Sequence, residues 1–208
     1  VQDDTRALQS AIDENEYIFI PKGYYRVVSP IRLKKNTKII GVGRHLSIIL
    51  ADYSSECFNN AEKPMPIIET VDTYYSSNIL NNLGFFVPRK AKGAYALLWR
   101  SGKESIIRDI NINNNFIKGF GTKSRAEKRS IPLFIITGNG SGKIYNTFQE
   151  QHAGQGDNYR HLLIKNAIGP LDFYQLNPEK GRGQTNVEID GSSNISIYGL
   201  KSEGNYPV

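Results

Sequence analysis

Residues 3–12 read DDTRALQSAI, and residues 17–27 read YIFIPKGYYRV. The first stretch predicts a helix over residues 4–14, whose first turn Asp3 or Asp4 can cap. One apolar stripe follows from the helical spacing of Ala7, Leu8, Ala11 and Ile12. The second stretch is typical of an apolar strand, a Pro-x-Gly turn and another strand. A single amphipathic helix therefore leads directly into a β-rich region.

The strands that follow predict a stacked parallel fold. We expect strands at Tyr17–Ile20, Tyr24–Val28 and Thr37–Ile40. Similar apolar segments recur further on with spacings of 27, 28, 29 and 33 residues, aligned on Leu80, Ile107, Ile135, Ile164 and Ile197. This rhythm predicts an all-β chain wound as a single-stranded parallel β-helix. The helix would cover its open end, because bare sheet edges recruit other chains. A β-sandwich or irregular barrel is the alternative, but hairpin signals are sparse.

Composition agrees with one folded domain. The chain has 208 residues, of which 39% are apolar and 22% charged, and no apolar run approaches the length of a membrane span. Cys57 is the only cysteine, which excludes an internal disulfide and a cysteine-based metal cluster. We expect one domain over residues 1–208, with a capping helix in residues 1–16 and coils in residues 17–208.

The charge of the chain bears on its partners. A net charge of +6 favours nucleic acid or an acidic polysaccharide as partner. Two basic patches, at residues 89–92 and 118–129, lie in segments that read as loops, where solvated charge is the simpler interpretation. We expect a polysaccharide or oligosaccharide partner, no nucleic acid, no membrane span and no cofactor. The oligomeric state stays open.

Asparagine is frequent at the predicted corners of the coils. The residues concerned are Asn78, Asn111, Asn113, Asn114, Asn115, Asn166 and Asn194. Asparagine tolerates left-handed backbone and stacks into amide ladders, so we interpret most of these residues as structural. They are poor catalytic candidates.

The segment from Gln149 to Tyr206 mixes polar and aromatic side chains, as sugar binding requires. Our candidates for substrate binding are Glu150, His152, His161, Tyr174, Gln175 and Tyr206. Glycoside hydrolysis needs two carboxyl groups, and the candidates are Glu203, Glu188, Asp190 and Asp172. Glu188 and Asp190 flank Ile189 on a predicted strand and would share one face, about 6 to 7 Å apart. Their roles as acid, base or nucleophile stay open. No His-Glu-x-x-His spacing occurs, so we expect no metal site.

The opening stretches, together with Gly41-Val42-Gly43, resemble the N-terminal coil of the pectate-lyase-like superfamily. This superfamily includes family 55 glycoside hydrolases, pectate lyase-3-type proteins and phage tail spikes. The resemblance implies a right-handed β-helix and covers residues 3–43, with only the rhythm matching beyond. Relatives carry Gly-Asp-Gly before the Asp-Asp-Thr, so the chain is expected to be part of a longer β-helix.

The resemblance implies architecture more than reaction. The polygalacturonase signatures Asn-Thr-Asp, Gly-His-Gly and Arg-Ile-Lys are absent. Arg182 near Glu188 and Asp190 imitates a pectate lyase site only weakly. We therefore expect a secreted protein, extracellular or periplasmic, that is a glycoside hydrolase acting on a polysaccharide. The alternatives are a polyuronate lyase and a non-catalytic, glycan-binding or tail-spike-like β-helix.

Overall fold

The computed structural model describes residues 2–113, 130–150, 156–181 and 183–204. The helices in these residues are α1 (Thr5–Glu14) and α2 (Glu56–Asn59). The strands are β1 (Tyr17–Ile20), β2 (Gly23–Val27), β3 (Ile31–Arg32), β4 (Lys38–Gly41), β5 (Ser47–Ala51), β6 (Met65–Glu69), β7 (Ile79–Phe86), β8 (Ala94–Trp99), β9 (Ile106–Asn113), β10 (Phe134–Gly138), β11 (Gly142–Glu150), β12 (Leu162–Ala167), β13 (Leu171–Glu179), β14 (Val187–Asp190) and β15 (Ile195–Tyr198).

The strands pair in parallel and form two sheets. The first sheet follows the order β1-β4-β7-β9-β11-β13-β15, with β2 and β5 joined to it beside β7. The second sheet follows the order β14-β12-β10-β8-β6-β3. The chain visits the two sheets in turn as it winds, so successive coils stack on one another. This arrangement is the predicted right-handed parallel β-helix with an N-terminal helical cap.

Apolar side chains fill the interior, stacked coil upon coil. The first sheet contributes a column through Leu80, Ile107, Ile144 and Phe173, all buried. The second sheet faces it with Leu97, Phe134, Leu162 and Val187. Helix α1 closes the N-terminal end, because Leu8 and Ile12 are buried in the same core. Its start is held by Asp3, whose carboxylate accepts the backbone N–H of Thr5 at 2.9 Å.

From β7 onward, each long strand of the first sheet bends at one residue with left-handed backbone. These residues are Asn82, Asp109, Asn146 and Gln175, with φ angles of 56°, 51°, 48° and 58°. Asparagine and aspartate reach this conformation more easily than other residues with a Cβ. Neighbouring coils are also linked there, since Asn146 Nδ2 donates to Asp109 Oδ1 at 2.6 Å. The bend divides the first sheet into a leading half, before these residues, and a trailing half after them, completed by β2 and β5.

Replacing Asn146 with alanine is expected to lower the free energy of unfolding by about 2 kcal/mol. Alanine keeps the left-handed strain and loses the amide, which also accepts from Arg44 Nη1 at 3.3 Å. Asn146→Gly relieves the strain but still lacks the amide, so it should cost about half as much. Urea unfolding of the parent chain, Asn146→Ala and Asn146→Gly measures the contribution of the backbone strain and that of the amide separately. Equal stability of Asn146→Ala and the parent chain would contradict a structural role for the bend.

The alignment of repeats predicted from the sequence is wrong in one respect. Leu80, Ile107 and Ile197 belong to the first sheet, whereas Ile135 and Ile164 belong to β10 and β12 of the second sheet. Strands of both sheets alternate apolar and polar residues in the same way. Sequence pattern alone therefore cannot separate them.

The expected corner asparagines divide into two groups. Asn166 and Asn194 have left-handed backbone, with φ angles of 52° and 58°, as predicted. Asn111 and Asn113 instead lie within β9 and are buried. Asn78 is structural in another way, because its Nδ2 donates to the carbonyls of Lys34 and Thr37. Asn114 and Asn115 fall outside the described residues.

Candidate functional site

Three glutamates stack in register along the trailing half, where Glu150 and Glu179 are buried and Glu203 is exposed. Glu150 of β11 is in register with Glu179 of β13, and Glu179 pairs with Glu203 in the next coil. Residues paired across parallel strands lie about 4.8 Å apart. We call Glu150, Glu179 and Glu203 the glutamate ladder. Such a stack of like charges is stable only where cations compensate it.

Two lysines supply that compensation. Lys180 Nζ lies 2.6 Å from Glu150 Oε1, while Lys201 Nζ lies 2.7 Å from Glu179 Oε1 and 2.8 Å from Glu203 Oε1. Because one nitrogen contacts both Oε1 atoms, about 5.5 Å is the upper limit of the distance between these two oxygens. A hydrogen bond between the side chains of Glu179 and Glu203 also contributes to the lowered pKa of Glu203, so the two carboxyl groups approach each other closely.

Exposure to solvent differs along the ladder. The side chain of Glu179 is 7% exposed and that of Glu203 is 47% exposed. The hydrogen bond from Lys201 lowers the pKa of Glu203, so this carboxylate is ionised at neutral pH. Hydrogen bonds to Glu150 and Glu179 in turn raise the pKa of Lys180 and of Lys201. Both lysines therefore carry a proton and are poorly suited to act as bases.

The other predicted catalytic carboxylates lie elsewhere. Glu188 and Asp190 occupy β14 of the second sheet, where Glu188 pairs with Arg160 and Asp190 Oδ2 lies 3.2 Å from Lys165 Nζ. The strand predicted around Ile189 is confirmed. Because the two sheets occupy different sides of the coil, this pair is separated from the glutamate ladder. Of the four candidates, Glu203 alone belongs to the ladder.

Asp172 and Tyr174 lie on the leading half of β13, and Gln175 is its bend residue. The ring of Tyr174 is stacked between those of Tyr145 and Tyr198, with centroid distances of 4.9 and 5.2 Å. Both faces of the Tyr174 ring are therefore covered. A sugar could reach the edge and hydroxyl of this residue, but it could not stack on the ring.

His161 lies in the interior and is fully buried. Its Nε2 is 2.8 Å from the carbonyl oxygen of Glu179, and its Nδ1 is 2.8 Å from Tyr159 Oη. Because a carbonyl only accepts, Nε2–H is the donor and Nδ1 accepts the tyrosine hydroxyl. His161 thus holds the backbone of Glu179 from inside and does not reach the outer surface. Burial lowers the pKa of His161 to about 4.

This pKa predicts acid sensitivity. An unfolded histidine titrates near 6.5. Between pH 6.5 and 4 the unfolded chain therefore binds a proton that folded His161 does not, so stability falls as the pH decreases through this range. The expected loss from this residue is about 3 kcal/mol. In urea unfolding at pH 7 and pH 4.5, His161→Gln should lose less stability on acidification than the parent chain. An equal loss in both proteins would contradict the assignment.

Sequence reasoning missed Glu179 and Lys201. A usable signal existed, because Glu150 and Glu179 have the same separation along the chain as the core partners Ile144 and Phe173. Applied to the outward side chains, the register of these core partners would have predicted the glutamate ladder. The register itself came only from the structure.

Other candidates lie outside the described residues. These are His152, Tyr206, Arg182 and the basic patch at residues 118–129. Among residues that the structure does describe, no group of three His, Cys, Asp or Glu side chains is arranged to hold a metal ion. No helix within the same part of the chain is long and apolar enough to cross a membrane.

Comparison with known proteins agrees with this architecture. The family model described as "Rhamnogalacturonase A/epimerase, pectate lyase-like" matches residues 1–198. A probable glucan endo-1,3-beta-glucosidase of Arthroderma benhamiae is 22% identical over 216 residues, covering 98% of this chain and 24% of that protein. The chain thus spans about a quarter of the length of this relative.

Two solved structures also match the chain. An iota-carrageenase complexed to iota-carrageenan fragments matches with a TM-score of 0.50 and 16% identity, covering 92% of this chain and 45% of that chain. The A-module of the Azotobacter vinelandii mannuronan C-5 epimerase AlgE6 matches with a TM-score of 0.48 and 13% identity, covering 100% of this chain and 72% of that chain.

Proposed function

Since the chain belongs to the rhamnogalacturonase A/epimerase, pectate lyase-like family of carbohydrate-active β-helix proteins, we propose that it is part of a secreted glycoside hydrolase that cleaves a polysaccharide at the glutamate ladder. The observation that carries this proposal is the contact of Lys201 with both Glu179 and Glu203. It brings together two carboxyl groups, the pair that glycoside hydrolysis by double displacement uses. The curated relative, a probable glucan endo-1,3-beta-glucosidase, supports a glucan as substrate.

The two carboxyl groups have different roles in this proposal. Glu203 is ionised and exposed, so its Oε attacks the anomeric carbon as the glycosidic C–O bond breaks. Glu179 must first take up a proton from solvent, which it then donates to the leaving oxygen; in the second step it takes a proton from the water that releases the sugar from Glu203. Lys201 must leave Glu179 when substrate binds, because its contact favours the ionised form of that group. Its side chain is 59% exposed, so a move away from Glu179 would lead it into solvent.

A polyuronate lyase is less well supported by the same site. A lyase needs a base that removes the proton next to the uronate carboxyl group. The lysines of the site have raised pKa values because they bind glutamates, so they remain protonated at neutral pH. The ladder is also acidic and would repel a uronate.

The test uses the full-length protein that contains this chain and a panel of neutral and acidic polysaccharides. We expect new reducing ends from a neutral glucan and no absorbance from unsaturated uronates. Unsaturated products from an acidic polymer would instead establish a lyase. Binding of a glycan without any cleavage would identify a non-catalytic β-helix and contradict the proposal.

A further inference from the structure

The leading half of the first sheet has its own outward row of side chains. Phe19, Ile40, Arg108, Tyr145, Tyr174 and Tyr198 follow one another along it, linked in register through Asn81. We call these six residues the outer stripe. It crosses seven coils, and at the usual strand spacing it is about 30 Å long. The glutamate ladder lies beyond the bend, on the trailing half.

Large side chains of the outer stripe are exposed to solvent. Phe19 is 63% exposed, Ile40 39% and Tyr198 54%. A single exposed apolar residue is ordinary, but exposed residues that line up on one flat sheet surface are typical of a binding surface. The stripe therefore has the character of a surface that a partner covers.

The stripe repeats with a regular period. The rings of Tyr145, Tyr174 and Tyr198 are nearly parallel, with interplanar angles of 11° and 14° and centroid distances of 4.9 and 5.2 Å. The guanidinium of Arg108 continues the stack, 5.4 Å from the centroid of Tyr145. The four coils from Arg108 to Tyr198 thus present a ring edge or a hydrogen-bonding group at the same interval. A partner that matches it in every coil must itself be a polymer whose repeat is close to one coil.

Charges on this surface are balanced locally. Lys38 pairs with Glu16, and Arg108 Nε lies 4.0 Å from Asp109 Oδ2. Lys143 is in register with Asp172 in the next coil. Among the described residues of this surface the two signs of charge are balanced, which favours a neutral polymer, and the donors and acceptors suit hydroxyl groups.

We propose that the outer stripe binds a neutral polysaccharide chain laid parallel to the axis of the β-helix, with about one sugar residue per coil. Sugar rings and hydroxyl groups would contact the edges and hydroxyls of the tyrosines and the exposed ring of Phe19. The inference takes its class of ligand from the proposed function, but it concerns holding the polymer rather than cleaving it.

Affinity electrophoresis tests this proposal with the full chain and its variants, in gels that contain soluble β-1,3-glucan, polygalacturonate or no polymer. The double variant Phe19→Ala/Tyr198→Ala should bind the glucan about tenfold more weakly than the parent chain. Both residues are exposed at the two ends of the stripe, so their truncation leaves the core intact. Tyr75→Ala is the matched control, because this tyrosine is 85% exposed in the loop between β6 and β7, and its retardation should be unchanged.

The alternatives give different results. No retardation of the parent chain by glucan, or equal retardation of the double variant, would overturn the proposal. Stronger retardation by polygalacturonate would assign the stripe to an acidic polymer, and self-association that the double variant abolishes in sedimentation would assign it to a second copy of the chain. Retardation without cleavage would contradict the hydrolase and leave the binding surface standing.

Discussion

Replacing Glu203 with glutamine is expected to lower the rate of glycan cleavage by about 10²–10⁴-fold in the full-length protein. The amide keeps the size of the side chain but cannot attack the anomeric carbon or take a proton. Because the side chain of Glu203 is 47% exposed and lies at the end of the ladder, its replacement should change stability little. Release of reducing ends and thermal unfolding measure the two effects separately.

The matched control is Glu104→Gln, whose carboxylate is 75% exposed and lies 4.0 Å from Lys103 Nζ. It should leave the cleavage rate unchanged. Full activity of Glu203→Gln would show that the ladder only supports the structure and would contradict the proposed function.

The pH–rate profile of Lys201→Met distinguishes a catalytic role of the ladder from a purely structural one. Removing the ammonium raises the pKa of Glu203, since Lys201 is the main cause of its lowered value. The acidic limb of the pH–rate profile should therefore shift to higher pH, because cleavage requires the ionised carboxylate. An unshifted limb would mean that Glu203 is not the catalytic nucleophile.

Replacing Phe173 with alanine is expected to lower the free energy of unfolding by about 3–5 kcal/mol. Phe173 is fully buried and stacks between Ile144 and Ile197 of the adjoining coils. Because the coils on both sides pack against this ring, the cavity that alanine leaves cannot close unless β11 or β15 shifts. A loss of this size is a large part of the 5–15 kcal/mol that stabilises a typical domain.

Phe19→Ala is the control, because Phe19 is a phenylalanine of the same sheet that points outward and is 63% exposed. Its free energy of unfolding should stay within about 0.5 kcal/mol of the parent value. Urea unfolding at pH 7 measures both variants. Similar losses for the two would mean that the interior column does not carry the stability of the stack.

The fold was largely predictable from local signals. Helix α1 and strand β1 lie where the apolar spacing of residues 4–20 predicted them. The order of these elements, a capping helix followed by a strand, a turn and a strand, was predictable because each element depends on residues close to it in the chain. Assigning later strands to one sheet or the other failed, because Ile107 and Ile164 have the same sequence surroundings but opposite positions in the coil.

The candidate site was predictable only in part. Polar and aromatic enrichment pointed to the last coils, and Glu150 and Glu203 were selected there. Glu179 was missed, and Asp190 was selected although it lies on the other sheet. His161 was predicted to bind substrate, but it is buried and hydrogen-bonded to the backbone of Glu179.

The sequence by itself determined the elements and the class of fold, because helix spacing, strand alternation and turn residues act over a few neighbouring positions. Only the tertiary structure decided which side chains meet. Loops of unequal length separate the coils, so contacts such as Glu179 with Lys201 and Tyr145 with Tyr174 depend on the register between strands. Register is set by packing inside the stack, where the column of apolar residues fixes the alignment of the strands. The outward side chains are aligned with the strands that carry them.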